Sequence, residues 1–342
     1  KDVIEPMKKL LILCLIMFLS GCAKENPDIQ IIVYDMGDPY MNQFAEDIIS
    51  SNKSDYIFKV KDSENNQLLQ NELIQNALDL KPKVILINPV DRLGSYTIIN
   101  KAKETNTPII FFNREPLAED LELSNNVYYV GAPAANSAKI QAEIVFDAFG
   151  DPNNLSSYDK NDDGIIQLII LKGEQGHQDA ETRTSVIIDE LERLGYQLEI
   201  LAIQIADWNT AIAYEKMIDL VEIHGENIEL VISNNDAMAI GAISALSEKS
   251  MFNDINENGV FDKDVDLFLP VIGIDGISQA IRLIKEGYLY GTVLNDSKAM
   301  AKVIVELAEA LANGSDLNNL DFDIIDGKYI WVDYQKYTPE ID

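Results

Sequence analysis

From Ile29 onward the chain repeats one unit about ten times: a short β-branched run, then a stretch with helical periodicity. Strands are expected at Ile29–Tyr34, Tyr56–Val60, Val84–Ile87, Ile109–Phe112 and Val127–Val130, then at Ile165–Leu171, Gln197–Ala202, Leu230–Ser233, Val271–Ile274 and Tyr290–Leu294. Between them lie helical patterns such as Asn65–Leu80, Ala134–Gly150, Asp179–Leu194, Asn209–Ile223 and Asp236–Glu248. Largely apolar short strands separated by helical crossovers argue for parallel sheets covered on both faces. One doubly wound sheet uses about five or six such units, so ten of them predict two α/β lobes. The boundaries expected are 29–132 plus 295–326 for the first lobe and 133–294 plus 327–342 for the second.

In such sheets functional side chains gather where strands end at their carboxyl edge. Asn113, Asn235, Asp275 and Asn295 each follow an apolar run directly. A single Asn or Asp in that position is more often a helix cap. Four of them drawn from both halves suggest a shared cleft.

Asp159-Lys-Asn-Asp-Asp-Gly-Ile-Ile-Gln167 places oxygen side chains at positions 1, 3, 5 and 9 with glycine at position 6. That is the spacing by which an EF-hand loop wraps Ca2+. Asp159, Asn161, Asp163 and Gln167 offer side-chain oxygens, and Ile165 its backbone carbonyl. Position 12 holds Ile170 in place of the usual bidentate Glu, so a carboxylate from elsewhere must close the site. Asp254-Ile-Asn-Glu-Asn-Gly-Val-Phe-Asp262 repeats the spacing inside an insertion over 251–267. There Asp254, Asn256, Asn258, Val260 and Asp262 form either a second calcium loop or an acidic surface turn.

The N-terminus is read as processing sequence. Met7-Lys-Lys followed by the apolar run Leu10–Leu19 is a charged region plus a hydrophobic region too short to span a bilayer. It ends in Leu19-Ser-Gly-Cys22, which resembles the bacterial lipobox. Residues 1–21 are thus expected to leave, Cys22 to carry lipid, and 22–28 to form a tether. Cys14 and Cys22 are the only cysteines, so the mature chain has no disulfide and relies on its core. A formal charge of −30 opposes nucleic-acid binding and serves solubility.

Lys172-Gly-Glu-Gln-Gly-His-Gln-Asp-Ala-Glu-Thr-Arg183 follows the strand after the calcium loop. Asp179 and Arg183 lie four apart on one helix face, where a cap and an ion pair are one reading and a polar site with His177 another.

Residues 171–184 resemble the C-lobe signature of the bacterial galactose/glucose-binding protein family. So do Phe111-Phe-Asn-Arg-Glu-Pro116, Asn234-Asn-Asp-Ala-Met-Ala239 and Gly291-Thr-Val-Leu-Asn-Asp296. The likeness runs from residue 29 to the end and implies a type I periplasmic binding protein: a sugar receptor for an ABC importer, not an enzyme. It implies that Asp38, Asn113, His177, Asp179, Arg183, Asn235, Asp275 and Asn295 bond sugar hydroxyls, with Tyr40 and Trp208 against the two sugar faces. Tyr40 departs from the family, which usually has Phe there. The resemblance also implies that Glu229 completes a structural calcium shell. The partners expected are D-galactose or D-glucose, an ABC permease, a chemoreceptor as a further candidate, and the membrane through lipid on Cys22; no nucleic acid is expected, and the protein is expected to be a monomer outside the cytoplasm. A sugar-responsive transcription factor shares this architecture but needs a basic helix-turn-helix where the signal stands. A sugar-metabolising enzyme lacks a nucleophile motif such as Gly-x-Ser-x-Gly.

Overall fold

The computed structural model describes residues 26–252 and 268–339. The signal, Cys22 and the second candidate calcium loop, 254–262, lie outside the described residues.

The first sheet contains β1 (Ile29–Val33), β2 (Phe58–Asp62), β3 (Val84–Ile87), β4 (Ile109–Phe112), β5 (Val127–Gly131) and β11 (Tyr329–Trp331). The second contains β6 (Ile165–Lys172), β7 (Gln197–Ile205), β8 (Leu230–Ser233), β9 (Val271–Asp275), β10 (Gly291–Leu294) and β12 (Gln335–Tyr337). The first runs β11-β5-β4-β3-β1-β2 and the second β12-β10-β9-β8-β6-β7. Every pairing is parallel except β10 with β12. Each lobe thus has the flavodoxin-like order, reversing beside its first strand, and ligands bind at that switch point. The fold is the type I periplasmic binding protein fold.

Helices clothe both faces of each sheet. In the first lobe α1 (Pro39–Ser51) and α10 (Ser297–Asn313) cover one face, α2 (Gln67–Leu80) and α3 (Ser95–Thr105) the other, and α4 (Ala118–Leu121) is a short turn. In the second lobe α5 (Ala134–Phe149) and α6 (Gln178–Leu194) lie on one side. There α7 (Thr210–His224), α8 (Asp236–Glu248) and α9 (Ser278–Lys285) lie on the other. One apolar cluster runs through both lobes, from Phe44 and Met300 to Met238 and Ile284, so the lobes are packed together as well as tethered.

The chain crosses between lobes three times, at 132–133, 295–296 and 332–334. The last crossing differs from expectation, which gave all of 327–342 to the second lobe. Tyr329, Ile330 and Trp331 pair with Tyr129, Val130 and Gly131 in the first sheet, and only β12 joins the second. Strands of three residues carry too little periodicity to be seen in the sequence. Expected strand two also slides, from Tyr56–Val60 to Phe58–Asp62, as an edge strand with mixed polarity permits.

Asn88 ties the carboxyl edge of the first sheet together. Fully buried after β3, it accepts from the Tyr34 N–H (3.2 Å) and donates to Phe112 O (3.1 Å) and Asn113 Oδ1 (3.2 Å). Asn88→Ala strands these partners without water, and is expected to cost about 2–4 kcal/mol of stability. Urea unfolding followed by circular dichroism checks it; a midpoint equal to wild type contradicts the assignment.

Candidate functional site

The carboxyl edges of the two sheets face each other around a small, half-open chamber of about 40 Å³. Its walls come from the loops after β1, β4, β6, β7, β8 and β9. Of the residues singled out in the sequence, Asp38, Tyr40, Asn113, His177, Asp179, Arg183, Trp208, Asn235 and Asp275 all line it. Asn295 does not. It stands behind Asp275, whose carbonyl accepts its N–H at 3.0 Å, with its own Oδ1 buried and unpartnered.

Asp38 caps α1: one carboxylate oxygen accepts from the N–H groups of Tyr40 (2.8 Å) and Met41 (3.2 Å), the other from the Tyr34 hydroxyl. Burial pushes its pKa up, against these hydrogen bonds. Tyr40 is buried and its hydroxyl has no partner.

In the second lobe the cap of α6 is His177, where Asp179 had been the expected candidate. His177 Nδ1 accepts from the Asp179 N–H at 3.1 Å, so its proton sits on Nε2. Burial and the charges of Arg114, Arg183 and Arg92 hold its pKa well below the usual value, which keeps it a neutral Nε2–H donor. Asp179 pairs with Arg183 at 3.1 Å. Arg183 also donates to Asn234 O (2.8 Å) and Tyr334 Oη (3.0 Å), while its Nε is left unpartnered. Burial opposes its charge, but Tyr334, Asp179 and Asp275 outweigh that and raise its pKa.

The rings of Trp208 and His177 meet nearly at right angles, with centroids 5.2 Å apart, and Trp208 Nε1 is buried without a partner. Gly173 makes this possible: a Cβ there would stand 2.3 Å from the indole. Asn113 (φ 62°), Trp208 (φ 62°) and Asp275 (φ 125°) all occupy left-handed backbone that side chains rarely adopt. Strain of this kind collects where function fixes a side chain. Asn235 caps α8 by accepting from the Met238 N–H (3.0 Å), so this Asn is both cap and cavity wall.

Three lining residues escaped the sequence reading: Tyr34, Met41 and Arg114. Tyr34 and Arg114 had a usable signal, because each stands at the carboxyl edge of a strand. Arg114 lies 3.7 Å from the centroid of the Tyr34 ring and reaches Glu174 of the other lobe at 3.4 Å. Gln178 to Glu115 (2.9 Å) is a second bond between the lobes. Tyr334 had no local signal; it reaches Arg183 from the third crossing.

At the opposite, amino-terminal edge of the second sheet lies the loop 159–167. Gly164 (φ +75°) makes its turn, and Asp159 accepts from the N–H groups of Asp163 (3.2 Å) and Gly164 (2.9 Å). Asp163 accepts from Ile165 N–H (2.8 Å), and Asn161 Oδ1 from Asp163 N–H (3.0 Å). Glu229, 1% exposed, folds onto the loop and accepts from the N–H groups of Lys160 (2.6 Å) and Gln167 (3.3 Å). Burial raises its pKa and the Asp159 charge adds to that. The Lys160 ammonium, which donates to Ile228 O at 2.9 Å, is held charged in part by Glu229, and Gln167 Oε1 is buried without a partner. No three His, Cys, Asp or Glu side chains converge among the described residues, so a cation here would draw on amide and backbone oxygens too. The donor set is all oxygen and fits Ca2+.

Behind the chamber wall, Asp236 accepts from Thr292 Oγ1 (2.6 Å) and the N–H groups of Gly276 (2.7 Å) and Ile277 (3.0 Å). Burial pushes its pKa up to about 7, and that of Asp275 well above the usual value. A carboxyl whose folded pKa is raised adds stability below its unfolded pKa, and this is lost as pH rises through the folded one. The ligand-free protein is therefore expected to lose melting temperature between pH 5 and pH 8. Asp236→Asn should shrink that loss. Calorimetric scans at the two values decide, and an undiminished loss in the variant refutes it.

The model of the periplasmic binding protein domain family matches residues 29–316. The D-galactose/methyl-galactoside binding periplasmic protein MglB of Haemophilus influenzae is 35% identical over 318 residues, covering 90% of each chain. The putative rhizopine-binding protein of Rhizobium meliloti is 26% identical over 75% of this chain and 74% of its own. Among solved structures, an ABC transporter solute binding protein from Bacillus halodurans with bound myo-inositol superposes with a TM-score of 0.73 at 23% identity, covering 93% of this chain and 97% of that one. One from Actinobacillus succinogenes with bound D-allose gives 0.74 at 21%, over 92% and 98%. At such identities the structures speak for the fold alone.

Proposed function

The chain belongs to the periplasmic binding protein family, and from that membership and the chemistry of the cleft we propose a lipid-anchored extracytoplasmic receptor that binds D-galactose or D-glucose and delivers it to an ABC importer. It is a solute-binding receptor and not an enzyme, as the family implies. Among the described residues no helix is long and apolar enough to cross a membrane, so the proposed attachment rests on Cys22.

One observation carries the ligand class. Tyr40 Oη, Arg183 Nε and Trp208 Nε1 are buried polar atoms without partners, supplied by both lobes around one small chamber. Each such atom costs about 1–3 kcal/mol unless a ligand satisfies it. A pyranose offers a ring of hydroxyls, each donor and acceptor, and C–H faces for aromatic rings. The carboxylates of Asp38, Asp179 and Asp275 accept from hydroxyls, while His177 Nε2–H and Arg183 donate to them. Because groups from both lobes contact it, such a ligand favours the closed state over an open one. The closed shape is then what a permease reads.

Relatives named for galactose, rhizopine and ribose make another monosaccharide or cyclic polyol the alternative. Calorimetric titration with a panel of hexoses, pentoses and inositols separates these, and recovery of unchanged sugar tests for receptor rather than enzyme. No heat from any of them defeats the proposal. Trp208→Ala is expected to weaken sugar binding by about 2 kcal/mol or more, roughly 30-fold. Wild-type affinity in that variant removes the ring from the site.

Calcium belongs to the same proposal as a structural ion, held by Asp159, Asn161, Asp163, Gln167, the Ile165 carbonyl and Glu229. It would neutralise the buried Glu229 and fix the loop to β6, at the sheet edge remote from the sugar chamber. Chelation is therefore expected to lower the melting temperature with sugar affinity nearly unchanged. Lost binding with an unaltered melting curve would contradict a structural ion.

A further inference from the structure

Tyr34, the residue that follows β1, is held on three sides. Its N–H donates to Asn88 Oδ1 at 3.2 Å. The Arg114 guanidinium lies 3.7 Å from the centroid of its ring, and is itself fixed to Val90 O at 2.6 Å. Its hydroxyl donates to Asp38 Oδ2. Burial raises the pKa of the phenol, and the Asp38 charge beside it adds to that, so the hydroxyl stays a donor. An ionised carboxylate offers about four lone-pair sites. On Asp38 the N–H groups of Tyr40 and Met41 fill those of Oδ1, and Tyr34 fills one on Oδ2. One site on Oδ2 remains, and Asp38 lines the chamber.

Resting on the sugar-receptor reading, we infer that Tyr34 is a positioning residue for the ligand: its hydroxyl fixes Asp38 as an acceptor and leaves one lone pair of the carboxylate for a sugar hydroxyl. Burial makes such a partner necessary. It pushes the Asp38 pKa up, and the Tyr34 hydroxyl leads the contacts that oppose this, ahead of the Met41 and Tyr40 N–H groups and the Arg114 charge. A protonated Asp38 would turn from acceptor to donor, a role that His177 Nε2 and Arg183 already fill. The other titratable or charged groups beside Asp38 and Tyr34 are Asp35, Tyr40, Arg114 and Asp275. Only Arg114 among them favours a charged Asp38; Asp35 and Asp275 oppose it. Sugar affinity therefore falls as pH falls through the Asp38 pKa. Without the Tyr34 hydroxyl that pKa is higher, so the fall begins at a higher pH. Burial also raises the pKa values of Asp179 and Asp275, but these carboxyls stand in both proteins, so the difference between the two profiles reports Asp38.

Calorimetric titration of the full chain at pH 5 and pH 8, with the hexose that wild type binds tightest, tests this on Tyr34→Phe. The substitution keeps the ring and its contact with Arg114 and removes only the hydroxyl. The variant is expected to bind about two-fold more weakly than wild type at pH 8 and about ten-fold more weakly at pH 5. A merely structural role would weaken binding by one factor at both values. That result, or wild-type affinity at both, overturns the inference. A second measurement needs no variant: in the sugar-free wild type, carbon NMR of labelled aspartate carboxyls is expected to show Asp38 ionised at pH 7. A protonated Asp38 there also overturns it. Hexose binding by wild type keeps these failures apart from failure of the receptor reading, which would show as no binding by either protein.

Discussion

Arg183 is the charge around which the cleft is organised. It is buried, and three groups from separate parts of the chain hold it: Asp179 one turn earlier on α6, the carbonyl of Asn234 at the end of β8, and the hydroxyl of Tyr334 in the third crossing. A buried guanidinium needs this much compensation, because desolvation outweighs any single ion pair. The same contacts fix its remaining Nε at the cavity wall. Since Tyr334 belongs to a segment joining the lobes, the position of this arginine at the chamber wall and the path of the connection are set by one bond.

The two lobes repeat one solution to one problem. A five-strand parallel core in the order β2-β1-β3-β4-β5, matched by β7-β6-β8-β9-β10, leaves a crevice beside its first strand. Turning the two crevices toward each other encloses a chamber that neither lobe has alone. The first contributes an acid, aromatic rings and an arginine; the second a neutral histidine, an ion pair and an indole. Polar loops at strand ends can then be buried, because each lobe roofs the other. The loop 159–167 uses the opposite edge of the second sheet, where fixing a loop costs the chamber nothing.

Much of the site was legible because its residues are local to strand ends. Asn113, Asn235 and Asp275 were visible as polar residues terminating apolar runs, and the structure shows that the cap and the cavity wall are not competing explanations: Asn235 and Asp38 do both. His177 shows the limit of local spacing, since the sequence suggested Asp179 as the cap and the folded chain uses the imidazole two residues earlier in that role. Tyr34 and Arg114 obeyed the same edge rule and were passed over in favour of their neighbours. Tyr334 obeyed no rule readable along the chain.

The sequence by itself determined the repeating strand–helix pattern, hence two parallel lobes, and the oxygen spacing of the 159–167 loop, because both are periodicities of neighbouring residues. Tertiary structure alone decided that β11 returns to the first sheet, that Asn295 stands behind Asp275, and that Tyr334 meets Arg183. Those are contacts between residues far apart in the chain, and their geometry is set by packing two sheets against each other, which no local pattern encodes.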